Sequence, residues 1–183
     1  MAYALEAVGP PSPRQREEGF KTLLRIIIDQ QISIQAGAAI WDRIEQRLGI
    51  VSAAHTLAVP PKVLNKCGLS KQKTAYALEL ASAVQAGKLD FKGLKNLDDQ
   101  SVISCLTRIK GIGIWTAEIY LMFAMGRPDI LPAGDLALQI ASQSLLGLKE
   151  KPPPKELGQI SERWAPYRTS AALILWKFYR APS

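Results

Sequence analysis

The sequence predicts an all-α fold, either one domain of ordinary size or two small subdomains. Three observations lead there. Apolar residues recur at helical spacing through most of the chain, the intervening segments carry Ser, Asp, Gly and Pro where helices start and stop, and no stretch offers a credible partner for a β-strand.

With 183 residues, 48% hydrophobic and 21% charged, the chain can bury a core without staples. Its 23 Lys and Arg against 16 Asp and Glu give a net charge of +7 and a pI near 9.5, which favours an anionic partner such as nucleic acid. The two cysteines, Cys67 and Cys105, are far apart in apolar surroundings. They exclude a disulfide framework and a four-cysteine zinc or iron-sulfur site within one chain, and read as buried thiols. The sole histidine, His55, has no partner motif for zinc or nucleophilic chemistry and is assigned a structural role. The N-terminus lacks the basic start and apolar run of a signal peptide, and no stretch reaches the roughly 18–20 apolar residues of a membrane span. An intracellular, soluble protein is expected.

The elements follow in order. After a Pro10 to Pro13 turn, Phe20 to Ile28 is apolar enough for a buried helix. Ile26 to Ile28 alone would also suit a strand, but the chain offers none to pair with. Ser33 caps a helix from Ile34 through Arg47 that Gly49 ends, with Ala36, Ala39, Ile40, Ile44 and Leu48 as its apolar stripe. Ser52 begins a short helical turn, and Pro60-Pro61 another that stops at Cys67-Gly68. Ser70 caps Lys71 to Ala86, closed by Gly87, and Asp98-Asp99 open the next helix, where acidic side chains complement the dipole. A Gly111-Ile112-Gly113 turn leads into a helix from Trp115 to Met125. Gly126 to Asp129 end it, an extended segment runs through Pro132, and Asp135 starts a helix to Leu146. Pro152 to Pro154 connect to a helix over Lys155 to Ala165, and Pro166 allows a last one from Tyr167 to about Tyr179.

Two features of this layout carry chemistry. A helix ending in Leu106 to Lys110, turning on Gly-Ile-Gly and resuming as a helix exposes backbone N–H groups at a helix N-terminus, a natural grip for a phosphate. Glycines there let the phosphate approach, and one of them needs a positive φ. Read by itself, the turn is equally a plain corner between packed helices. Asp135, across a loop rich in Gly and Pro, read by itself is a helix N-cap.

The run Leu106 to Ala117, with Leu131-Pro132-Ala133-Gly134-Asp135-Leu136-Ala137-Leu138 downstream, resembles the helix-hairpin-helix (HhH-GPD) DNA glycosylases, and within them the alkylated-base, 3-methyladenine DNA glycosylase II branch. Ile28 to Ser33, Gly68 to Lys73 and Trp164 to Ala171 resemble further segments of that branch, so the likeness runs from about Phe20 onward. The resemblance implies two helical subdomains flanking a cleft: a central one, 33–126, with the helix-hairpin-helix at about 102–125, and a second of 1–32 plus 127–183 carrying the catalytic aspartate. It implies a compact form, without the extra N-terminal β domain that such enzymes often have.

By the same resemblance Asp135 is the catalytic carboxylate, stabilising positive charge on the sugar and orienting or deprotonating water. Trp115 and Trp176 fit the base pocket, with Tyr120 and Phe123 as additions, because an electron-poor flipped base needs electron-rich walls. Read alone, aromatic residues on apolar helices are core. Gln31, with Gln30 beside it, stands where relatives carry the wedge that fills the hole left in the duplex; otherwise the two are polar helix-end residues. Lys110, Gly111, Gly113 and Thr116 at the hairpin, with Ser70, Lys71 and Lys73 at the start of their helix, are expected on phosphates. The remaining basic residues, Lys149, Lys151, Lys155, Arg163 and Arg168, read as solvated face or helix ends. Strand-cutting relatives have a lysine two residues after the last hairpin glycine; Trp115 stands there and cannot form a Schiff base.

The expectation is therefore a monofunctional glycosylase that removes alkylated purines from duplex DNA and acts as a monomer without a catalytic metal, cofactor or iron-sulfur cluster. Such hairpins sometimes hold a sodium or potassium ion when DNA is bound. The alternatives are an adenine-mismatch or oxidised-base glycosylase of the same fold, or a non-catalytic helix-hairpin-helix DNA-binding module. Two departures bear on substrate range: Ile119 where the branch often has an aromatic residue, and Gly134 where many relatives have a second acid.

Overall fold

Polar caps set the helix boundaries much as their spacing implies. The computed structural model describes residues 1–12 and 15–181, so Pro13, the end of the expected first turn, lies outside the described residues. In chain order the helices are α1 (Ala2–Val8), α2 (Phe20–Asp29), α3 (Ile34–Leu48), α4 (Ala53–Ala58), α5 (Pro61–Lys66) and α6 (Lys71–Gln85). They continue with α7 (Phe91–Leu94), α8 (Asp99–Thr107), α9 (Ile114–Phe123), α10 (Leu136–Leu146), α11 (Pro154–Ser161) and α12 (Arg168–Arg180). A 3-10 turn at Glu162–Trp164 occupies part of the helix expected up to Ala165. Among the described residues there is no strand, and no helix is long and apolar enough to cross a membrane.

The chain divides into two units, a middle one of Arg16–Tyr120 and a terminal one of Met1–Gln15 with Leu121–Ser183. Helix α9 runs through the boundary. The expected division placed residues 1–32 with the terminal part. The difference is α2, which packs on α6 and α3 and so belongs to the middle unit. Its Leu23, Leu24, Ile26, Ile27 and Ile28 are almost wholly buried, and each such side chain contributes roughly 2 kcal/mol to holding the unit together.

In the middle unit Ser33, Ser52, Ser70, Asp90 and Asp98 each accept a backbone N–H at the start of their helices. His55 is exposed, with its Nδ1 2.8 Å from Ser52 Oγ at the start of α4. Trp41 is buried under Arg25, whose guanidinium stands 5.3 Å from the ring centre. Cys67 is buried with its thiol donating to Arg43 O, and desolvation pushes that thiol above its ordinary range; Cys105 is only half-buried.

In the terminal unit α12 packs on α10 and α1. Helix α1 is absent from the sequence reading because seven residues without a polar cap give little local signal. Tertiary packing supplies what is missing: Ala4 is fully buried, Tyr3 stands edge-on to Phe178 at 6.3 Å, and Lys177 donates to Gly9 O and Pro10 O at 3.4 and 3.1 Å.

Candidate active site

Asp135 is the N-cap of α10, with φ −74° and ψ 121°, and its Oδ1 accepts the Leu138 N–H at 3.0 Å. The same oxygen accepts the indole N–H of Trp176 at 3.0 Å, and the Trp176 ring stacks on Phe123 with centroids 6.0 Å apart and planes 25° apart. Asp135 is thus a helix cap and the indole's acceptor at once. The helix end and an indole fix the carboxylate, and the half-buried indole stacks in turn on the half-buried Phe123. Behind it, Gln139 Nε2 donates to Ala133 O at 2.8 Å while its Oε1 accepts Lys151 Nζ at 2.8 Å.

The loop leading to Asp135 is clamped by the first turn of α12. Arg168 Nε and one terminal nitrogen donate to the two oxygens of Asp129 at 2.7 and 2.8 Å. This pairing holds the Asp129 carboxyl below its ordinary pKa, chiefly through the Arg168 side-chain hydrogen bond and against a smaller opposing effect of burial. Thr169 N donates to Pro128 O at 3.0 Å, and its hydroxyl donates to Arg127 O at 2.7 Å and accepts the Ile130 N–H at 3.1 Å. Sequence reasoning left Arg168 and Lys151 on the solvated face. The available signal was position: a cation in the first turn of a helix opposes the dipole and calls for a carboxylate partner.

In the middle unit the hairpin joins α8 to α9. Gly111 has φ 97°, and a Cβ there would meet Tyr76 Cγ at 2.2 Å, so glycine is required by the ring packed against it. Gly113 has no atom within 4 Å of an added Cβ, which makes it the open member of the pair. Lys110 is exposed beside it. Trp115 is half-buried in the first turn of α9.

Several expected roles change. Tyr120 is no pocket wall: it is fully buried, accepts the Gly19 N–H at 2.8 Å on its hydroxyl and lies beside Phe91. Desolvation pushes that phenol up to about 12. Thr116, 2% exposed, turns its hydroxyl inward to accept Gln30 Nε2 at 2.8 Å, so its side chain is not on a phosphate. The Gln30 amide also donates to Gly111 O at 3.1 Å, which removes it from the wedge and leaves Gln31 exposed at the tip. Lys73 is likewise turned inward, donating to Ile28 O and Gln30 O at 2.6 Å each. Ser70 is spent as a cap, accepting Lys73 N at 3.1 Å, and Lys71 remains exposed. Glu118, in α9, was not singled out by sequence. Burial lifts its carboxyl to about 7.

Residues 24–166 match the family model described as HhH-GPD superfamily base excision DNA repair protein, and the chain belongs to that superfamily. Its relatives lie in the branch whose motifs it shares. DNA-3-methyladenine glycosylase 1 of Schizosaccharomyces pombe is 31% identical over 176 residues, covering 92% of this chain and 75% of that one. The crystal structure of a DNA-3-methyladenine glycosidase from Bacillus halodurans is similar with a TM-score of 0.82 and 38% identity, covering 93% of this chain and 79% of that one. The structure of the S. pombe 3-methyladenine DNA glycosylase in complex with abasic DNA has a TM-score of 0.87 and 29% identity, covering 96% and 89%.

Proposed function

We propose that the chain is a monofunctional DNA glycosylase, which hydrolyses the N-glycosidic bond of alkylated purines of the 3-methyladenine type in duplex DNA and leaves an abasic site for base excision repair. The observation that carries this reading is the carboxylate of Asp135, held by Trp176 and the start of α10 in a loop that Arg168 clamps.

Leaving of the base develops positive charge on the sugar. A carboxylate fixed beforehand stabilises that charge without reorganising, and it orients or deprotonates the water that completes hydrolysis. An alkylated purine already carries positive charge and departs without a strong general acid. The stacked rings of Trp176 and Phe123 suit such a cation. Trp115, standing where strand-cutting relatives have lysine, provides no amine for a Schiff base, so the reaction ends at base removal.

Duplex DNA is the partner, supported by the net charge of +7 and by the S. pombe relative's complex with abasic DNA. Gly113, the first turn of α9 and Lys110 grip phosphate, and Gln31 fills the space that the extruded base leaves. Hydrolysis needs only water, and two cysteines cannot supply the four ligands of an iron-sulfur cluster. The Gly111–Gly113 turn would hold a sodium or potassium ion when DNA is bound, and the ion would supply positive charge there. The protein acts as a monomer wherever DNA is kept, in the nucleoid or the nucleus.

Incubation with methylated duplex DNA, followed by chromatography of released bases and alkaline cleavage of abasic sites, tests the reading. Free 3-methyladenine and alkali-labile sites are expected from the parent, and Asp135→Asn should release neither. No free base from the parent, or an Asp135→Asn rate equal to it, overturns the catalytic reading. Borohydride should trap no covalent adduct; a robust adduct would make a lysine the nucleophile.

A further inference from the structure

Gln31 is the one non-glycine among the described residues with a positive φ, 55°, and it is exposed. A left-handed backbone costs a glutamine roughly 1 kcal/mol or more, and it persists only where its neighbours over-determine it. Those neighbours are all in the middle unit. The third residue of α6, Lys73, sends its ammonium to Ile28 O and Gln30 O, both at 2.6 Å. Ile28 O is among the last carbonyls of α2, which have no partner within the helix, so the ammonium caps that end. A lysine in the first turn of a helix opposes the dipole and is normally solvated. Here it is half-buried, and desolvation lowers its pKa while the nearby Asp29 carboxylate works the other way.

From Gln30 the connection continues to the hairpin. Both amide hydrogens of Gln30 are used, one on Gly111 O at 3.1 Å and one on Thr116 Oγ1 at 2.8 Å. The residue before Gln31 is therefore held on its main chain by α6 and on its side chain by the turn that grips phosphate.

We propose that Lys73 is a positioning residue for base extrusion: through Gln30 it locks the Gln31 tip to the hairpin, so that gripping the backbone and wedging the duplex are done by one rigid body. The proposal rests on the glycosylase reading, and it predicts a signature that loss of structure alone would not produce. Disturbing the lock should slow removal of a base that must be pushed out of a duplex and spare removal of one that is already unstacked.

The test compares single-turnover base release from a methylated purine in duplex DNA and in single-stranded DNA of the same sequence, using the full chain. Lys73→Met should lose about 10- to 100-fold on the duplex, the scale on which small misplacements act, and less than about threefold on the single strand. Lys73→Arg should recover part of the duplex rate. Where Lys73→Met does not fold, Gln30→Leu, which cuts the tie to Gly111 and Thr116 and leaves the ammonium's bonds in place, should give the same duplex-selective loss. Equal losses on both substrates, or no loss on either, overturn the proposal. A readout that needs no turnover is 2-aminopurine fluorescence in the bound duplex: the parent should unstack the probe and Lys73→Met should not. Equal unstacking by the two overturns the lock even if the parent releases no alkylated base, an outcome that would separately overturn the glycosylase reading.

Discussion

Trp176 and Asp135, both in the terminal unit, share one hydrogen bond of 3.0 Å from indole N–H to carboxylate Oδ1, and the same oxygen accepts the Leu138 N–H. The residue assigned to the pocket wall is thus also the one that aims the carboxylate. Trp176→Phe keeps a ring against Phe123 and removes only the donor. Losing one such bond is worth about 1.4 kcal/mol, so base release should slow about tenfold. Stopped single-turnover assays measure this, and an unchanged rate would leave the indole with stacking alone.

The clamp on the preceding loop separates geometry from binding. Arg168→Leu removes both bonds to Asp129, and for a partly exposed bidentate pair about 1 kcal/mol of stability should go with it. Because the loop leads to Asp135, kcat should fall more than affinity for DNA. Asp129 is held below its ordinary value in the folded protein, so its contribution is present above the unfolded pKa and disappears as pH falls through the lower folded one. The gap in melting temperature between parent and Arg168→Leu should therefore narrow progressively as pH falls below about 4; a gap that does not narrow contradicts the pairing.

Glu118 gives a dependence of the opposite sign. Its carboxyl, ordinarily near 4.5, is lifted to about 7 by burial. The folded protein keeps a proton that the unfolded chain releases, so stability declines as pH rises from about 4.5 to about 7 and then levels off. Glu118→Gln should match the parent near pH 4 and melt about 5 °C higher at pH 8, from roughly 2 kcal/mol. Parallel melting curves at both pH values would show that the carboxyl is hydrated.

The hairpin glycines should respond differently. Gly111→Ala places a Cβ into Tyr76 at a positive φ and should destabilise the fold by about 2–4 kcal/mol. Gly113→Ala meets no protein atom, so its melting temperature should hold while DNA affinity drops. Calorimetry and fluorescence anisotropy distinguish the two, and equal destabilisation would refute the contrast.

Tyr120→Phe should cost about 1 kcal/mol, because the part-buried Gly19 N–H loses its acceptor. The profile of bases released should stay as in the parent. A changed profile would return Tyr120 to the pocket.

Helices α3, α6, α8 and α10 were legible in the chain because each announces itself twice, by its apolar period and by a cap, Ser33, Ser70, Asp98 or Asp135. Helices α1 and α7 were not, since seven and four residues give too little apolar period and α1 also lacks a polar cap. At the site, residue type and order pointed to Asp135, but facing could not be read. Tyr120 and Phe123 lie less than one turn apart on an apolar helix, and one is core while the other stacks on Trp176. Lys71 and Lys73 open the same helix, and only the second reaches the end of α2. Such distinctions depend on which neighbour arrives from far along the chain, and Lys73 meets Ile28 from 45 residues away.

The packing of α1 on α12 has a consequence for synthesis on the ribosome. Helix α1 finds its partner only when α12 follows, whereas every helix of the middle unit up to α8 can be translated and packed meanwhile. A nascent chain stalled before Arg168 therefore carries the Gly111–Gly113 turn but lacks both the clamp on Asp129 and the indole on Asp135. Translation order thus leaves the carboxylate with its Leu138 cap but without its indole until α12 has been made.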